Sequence, residues 1–72
     1  MMNVWVIDEE NGYAFSWNGS QQCNVHTCSP AVVPTASAVI SVGGEVDVFS
    51  MSHKPHTIEQ LVDHCEAYVK GK

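Results

Sequence analysis

Seventy-two residues with 44% hydrophobic and only 15% charged side chains describe a folded chain rather than a disordered one. The length suffices for one core, because chains this short bury only about 60% of their unfolded surface. Eight acids against three lysines, with no arginine, give a formal net charge of −5, which excludes the clustered cations of direct nucleic-acid binding, argues against anionic membranes and points to a partner bearing a basic patch.

The opening Met1-Met2-Asn3-Val4-Trp5 lacks a basic region and the chain soon reaches Asp8, so no signal peptide is read there. No later apolar run approaches the roughly 20 residues of a bilayer span. Cys23, Cys28 and Cys65 are an odd number, which disulfide-stapled secreted mini-proteins avoid. These features predict a cytoplasmic chain with reduced thiols.

Val4 to Ile7 and Tyr13 to Trp17 are β-rich runs flanking Glu10-Asn11-Gly12, which predicts a hairpin over about 4–17. A two-residue Asn-Gly loop would set Ile7 against Ser16 and Trp5 against Asn18. A three-residue loop with Gly12 left-handed instead faces Glu9 with Tyr13, Ile7 with Phe15 and Trp5 with Trp17. That register predicts a core face of Trp5, Ile7, Phe15 and Trp17.

Asn18-Gly19 is a turn signal, and Ser20 to Thr27 alternates too little for more than a weak third strand. Pro30 and Pro34 cannot donate to a ladder, so Ser29 to Pro34 reads as an extended crossover. The segment 18–35 is therefore expected to be an irregular middle. Ala36 to Val42 and Glu45 to Met51 surround Gly43-Gly44 and predict a second hairpin over about 36–51. A three-residue loop at Val42-Gly43-Gly44 pairs Ile40 with Val46 and Ala38 with Val48, leaving Val39, Ser41, Glu45, Asp47 and Phe49 on the other face.

Thr57 followed three residues later by Gln60 forms a capping-box pattern. Ile58, Leu61, Val62, Cys65, Tyr68 and Val69 then recur at helical spacing, with Glu59, Asp63 and Glu66 on or near the wet side. This predicts a helix over about 57–70, with Lys70 and Gly71 suited to its end. The expected architecture is a single α+β domain over 1–72: a small antiparallel sheet of four or five strands in two hairpins, with the C-terminal helix packed on one face.

Among chemistry-bearing residues, Cys23, His26 and Cys28 with His53 and His56 are the available zinc ligands, but Cys-x2-His-x-Cys and His-x2-His about 25 residues apart depart from the knuckle spacing of structural zinc sites. Cys23 and Cys28 are also close enough in sequence to suggest a disulfide if oxidised. Cys65 falls in the helical stripe and reads as a small core residue. No glycine-rich phosphate loop, His-Glu-x-x-His or Gly-x-Ser-x-Gly is present, so neither catalysis nor a cofactor is expected. Asp8, Glu9 and Glu10 lack the spaced oxygens of an EF-hand and read as an acidic hairpin tip.

The face holding Glu45, Asp47 and Phe49 combines an apolar anchor with an acidic rim, the composition of an interface patch. No motif carries a family resemblance. The expected function is a non-enzymatic protein-binding module that docks an acidic surface, Asp8, Glu9, Glu10, Glu45, Asp47 and Phe49, on a basic site of a larger protein. An inhibitor or adaptor of the virus or mobile-element kind, such as an anti-CRISPR, is the context that size and charge suggest. A small zinc-binding domain and a homodimer built on an open strand edge or the Phe49 face are the alternatives.

Overall fold

The computed structural model describes residues 3–32 and 38–72. Four strands, β1 (Val4–Asp8), β2 (Tyr13–Trp17), β3 (Gln22–Val32) and β4 (Ala38–Ser50), precede one helix, α1 (Ile58–Lys70). The strands form one antiparallel sheet in the order β1-β2-β3-β4, an α+β arrangement. Among the described residues no helix is long and apolar enough to cross a membrane.

The first hairpin forms with a different register from the expected one. Val4 faces Trp17, Val6 faces Phe15 and Asp8 faces Tyr13, while Trp5 faces Ser16 and Ile7 faces Ala14. The cause lies in the turn, which holds four residues rather than three. The Asp8 carboxylate accepts hydrogen bonds from the Asn11 backbone N–H (3.1 Å) and side-chain amide (2.9 Å), and the Gly12 N–H reaches the Asp8 carbonyl at 2.9 Å. Gly12 closes the turn at φ 78°, a conformation that glycine adopts without steric cost. A one-residue change of register sends every side chain to the other face. Val4 and Val6 therefore join Phe15 and Trp17 against the core, whereas Trp5 and Ile7 remain exposed on the opposite face.

The polar segment 22–32, expected to be irregular, is the long third strand. Its apolar alternation is narrow but sufficient: Cys23 and Val25 are fully buried in the core between the outward Gln22, Asn24 and His26. Pro30 is accommodated because β2 and its turn bond to β3 as far as Cys28, whose N–H donates to the Gly12 carbonyl at 2.9 Å, so beyond it β3 pairs, among the described residues, with β4 alone. The expected hairpin over 36–51 is also replaced. Residues 38–50 run as one strand, and Gly43-Gly44 lie within it beside a break of register between His26 and Cys28, a second break falling between Val25 and His26. Glycine inside a strand commonly marks a bulge or a close approach. Here a Cβ on Gly43 would collide with the Thr27 Oγ1. Residues 33–37, which hold part of the expected crossover and the start of that hairpin, lie outside the described residues.

The helix begins as its sequence predicts. Thr57, in extended backbone, caps it by accepting from the Gln60 N–H at 3.2 Å. The Gln60 side chain accepts from the His56 N–H at 2.7 Å, one residue earlier than in the standard box. Leu61 and Cys65 share a buried cluster with Phe15, Cys23, Val25 and Met51. Phe49 belongs with this cluster and not with the uncovered face: its ring stacks on Tyr68 with centroids 4.8 Å apart and meets Phe15 edge-on at 6.1 Å. Aromatic pairs in these geometries add about 0.5–1.5 kcal/mol beyond area burial.

The face away from the helix carries a second, smaller cluster. Trp5 and His26 approach to 5.1 Å between ring centroids, and Ala14 and Ser16, although on that face, are almost wholly buried. The small side chains of the middle strand are covered by the larger ones to either side. Ile7 pairs with Ala14, and His26 lies within 3.4 Å of the Ser16 hydroxyl through its Nε2.

Candidate docking groove

A concavity with a volume of about 540 Å³ opens where β1 and its turn run beside α1. Val6 and Ile7 line it from β1 and Val62 from the helix, with the buried Phe15 and Cys65 behind them. Four acids share that lining: Asp8 at the end of β1, Glu9 and Glu10 in the turn, and Glu66 on the helix. The volume falls in the range of about 300–1,000 Å³ usual for ligand clefts.

Local sequence explains each wall. The Asp8 carboxylate is held by Asn11 as the brace of the turn, which leaves Glu9 and Glu10 as its exposed charges. Val62 and Glu66 are one turn apart on the helix and border the buried Leu61 and Cys65, so one contributes apolar surface and the other a carboxylate to the same side. Apolar side chains among acids suit a lysine or arginine side chain, whose hydrocarbon stem buries while its charged head stays at the wet rim.

No family model, curated protein or solved structure matches the chain.

The residues expected to form one acidic surface occupy two edges of the sheet. Asp8, Glu9 and Glu10 flank β1, while Glu45, Asp47 and Phe49 lie on β4, three strands away, roughly 14 Å at the usual strand spacing. Glu45 is exposed opposite His26. Asp47 is engaged by the helix end: it accepts from the Tyr68 hydroxyl at 2.6 Å through Oδ2 and from the Val48 N–H at 2.8 Å through Oδ1, with the Lys72 ammonium 3.6 Å away. The Tyr68 hydrogen bond, followed by the Val48 one, holds the Asp47 carboxyl below its ordinary value and pushes the Tyr68 hydroxyl above its own. This acid and Phe49 serve to seat Tyr68 on the sheet.

The sulfur and imidazole groups are likewise dispersed. Cys23 faces the core, His26 faces the opposite side, and His53 and His56 are exposed beyond β4. Cys23 and Cys28 lie on one continuous strand, about 16 Å apart at roughly 3.3 Å per residue. A disulfide needs Cα atoms within about 7 Å, so that pairing is not available. Cys23 instead packs with Cys65 of the helix in the core, its thiol donating to the Ser16 carbonyl at 3.5 Å, and the neighbouring Cys23 thiol together with burial pushes the Cys65 thiol above its ordinary value. Among the described residues no group of three His, Cys, Asp or Glu side chains is placed to hold a metal ion.

Val6, Val62 and Glu66 are the groove residues that no sequence motif singled out. Their available signal was position: Val62 and Glu66 lie at the border between the apolar stripe of the helix and its wet face.

Proposed function

We propose that this chain is a non-enzymatic protein-binding module, an inhibitor or adaptor acting in the cytoplasm, which docks its acidic groove on a basic site of a larger protein. The observation that carries this reading is the groove itself, in which the apolar Val6, Ile7 and Val62 lie among the carboxylates of Asp8, Glu9, Glu10 and Glu66 in a chain of net charge −5. Charge complementarity governs encounter and orientation, and the apolar side chains supply area that leaves water.

The test is affinity capture from the native host on the immobilised chain, followed by measurement of the recovered partner's affinity. Charge reversal of Glu9→Lys, Glu10→Lys and Glu66→Lys together is expected to weaken binding at least tenfold, and raising salt from about 0.05 to 0.5 M to weaken the wild type similarly. Binding indifferent to both changes overturns the reading.

One observation favours a second reading, a homodimer through the face that α1 leaves uncovered. Trp5 and Val48, 45% and 48% exposed, lie on that face with Ile7, and exposed apolar clusters of this kind commonly mark interfaces. Light scattering decides it: a dimeric mass that Trp5→Lys converts to a monomer supports the dimer, and a monomer at high concentration removes it.

A further inference from the structure

The geometry points to strand addition as the way the groove takes its partner: an extended basic segment of that partner pairs with the free edge of β1 and becomes a fifth strand. This rests on the acidic-docking reading and specifies the conformation it requires.

β1 is the last strand on its side of the sheet, bonded to β2 alone among the described residues. Its outer N–H and C=O groups therefore form an unpaired row beside the groove. Such edges recruit extended peptides unless they are blunted by bulges, prolines or lysines. The two edges of this sheet differ in that respect. β4 carries two breaks of register against β3 and the interior pair Gly43-Gly44, whereas Val-Trp-Val-Ile-Asp of β1 pairs with β2 without a break and, like β4, contains neither proline nor lysine. The usable edge is thus the one that borders the acidic groove.

A strand added at the usual spacing of about 4.8 Å lies beside β1 in the sheet, along the mouth of the groove that β1 shares with α1. Its side chains alternate. Those on the helix side enter the groove as lysine or arginine side chains, their stems against Val6 and Val62 and their cationic heads toward Glu9, Glu10 and Glu66. The partner segment so defined is extended and carries Lys or Arg at every second position, with apolar residues between them on the other face. A second copy of this chain is a poorer occupant, since its own β1 ends in Asp8 followed by Glu9 and Glu10 and brings acids to an acidic groove.

The probe is a fluorescent ten-residue peptide of alternating lysine and valine, compared with two analogues N-methylated on every valine or on every lysine. Alternate amides of a strand point to opposite edges, so one analogue blocks the edge facing β1 and the other blocks only the outer edge. The expected result in fluorescence anisotropy is an asymmetry: one analogue loses at least tenfold in affinity while the other stays within about threefold of the parent. Hydrogen exchange of the Val4 to Asp8 amides is expected to slow on adding the parent peptide. Salt-sensitive binding with no asymmetry and no protection of β1 overturns strand addition while leaving acidic docking in place. Failure of the parent peptide to bind, or protection of β1 in a peptide-free dimer, also overturns it, and acidic docking is then judged by the captured partner alone.

Discussion

An alanine at Gly43 directs its Cβ into the Thr27 Oγ1, whereas an alanine at Gly44 meets no atom within 4 Å. The positive-φ glycines of the described chain are Gly12 and Gly19, so the backbone at 43 and 44 accepts either substitution. Overpacking at a site of this kind costs about 1–3 kcal/mol, because relief requires a χ1 change in a β-branched residue with few rotamers. Both alanines also gain about 0.4–1 kcal/mol by restricting the unfolded chain. Gly43→Ala is thus expected to destabilise by about 1–2 kcal/mol net, and Gly44→Ala to be neutral or slightly stabilising. Adding Thr27→Ala removes the colliding oxygen and leaves the threonine Cβ position 3.5 Å away, an ordinary contact. The double variant should recover about 1 kcal/mol relative to the sum of the single effects. Urea unfolding followed by Trp5 and Trp17 fluorescence measures the wild type, the three single variants and the double variant, with the midpoint and slope reported separately. Equal effects at 43 and 44, or strict additivity with Thr27→Ala, would refute the placement of this glycine pair inside β4 against Thr27.

Leu61→Ala, at a fully buried helix position, is expected to cost about 2–5 kcal/mol, whereas Ile58→Ala, at a position 53% exposed, should cost under about 1 kcal/mol by the same unfolding assay. The lowered Asp47 pKa means that the folded state prefers the ionised carboxylate. Its contribution is therefore present above the ordinary carboxylate value and lost as pH falls through the lowered one. Tyr68→Phe keeps the ring on Phe49 but removes the hydroxyl, so it should flatten the acid side of the Tm profile; an unchanged profile would show that the hydrogen bond to Asp47 does not hold that carboxylate. Because Cys23, His26, His53 and His56 are dispersed around the sheet, adding EDTA should leave Tm unchanged, and a large fall accompanied by release of stoichiometric zinc would restore the metal-binding alternative.

The helix was the most legible element, because Thr57, Gln60 and the stripe through Leu61 and Cys65 are local signals that tertiary contacts reinforce. The first hairpin was legible in position but not in face. The side-chain bracing of its turn by Asp8 and Asn11 adds one loop residue, and that single residue exchanges Trp5 and Ile7 for Val4 and Val6 in the core. Large aromatic groups ordinarily belong inside, yet Trp5 stays 45% exposed on the outer face, where its ring meets His26 and contacts, among the described residues, no core residue of the helix side.

The remainder of the sheet was masked by residues with two physical uses. Gly43-Gly44 has the chemistry of a hairpin turn and equally that of a bulge under a close contact, and only the approach of Thr27 distinguishes them. The polar β3 carries two fully buried residues in Cys23 and Val25, too few for periodicity to stand out. The candidate site was legible in part. Asp8, Glu9 and Glu10 were visible as an acidic tip, but their partner Glu66 lies more than 50 positions later in the chain, and its juxtaposition depends on how α1 crosses the sheet. The acids of β4 read as part of the same surface because alternation alone cannot show that Tyr68 descends onto Asp47 and Phe49.

Hydrogen exchange of the complex with the captured partner tests acidic docking most directly, since it locates the contact on the chain without altering either protein. The account predicts slowed exchange over β1 and its turn, residues 4–12, and over the helix near 62–66, with little change along 42–50. Protection concentrated on 42–50, with residues 4–12 and 62–66 exchanging as in the isolated chain, would contradict it.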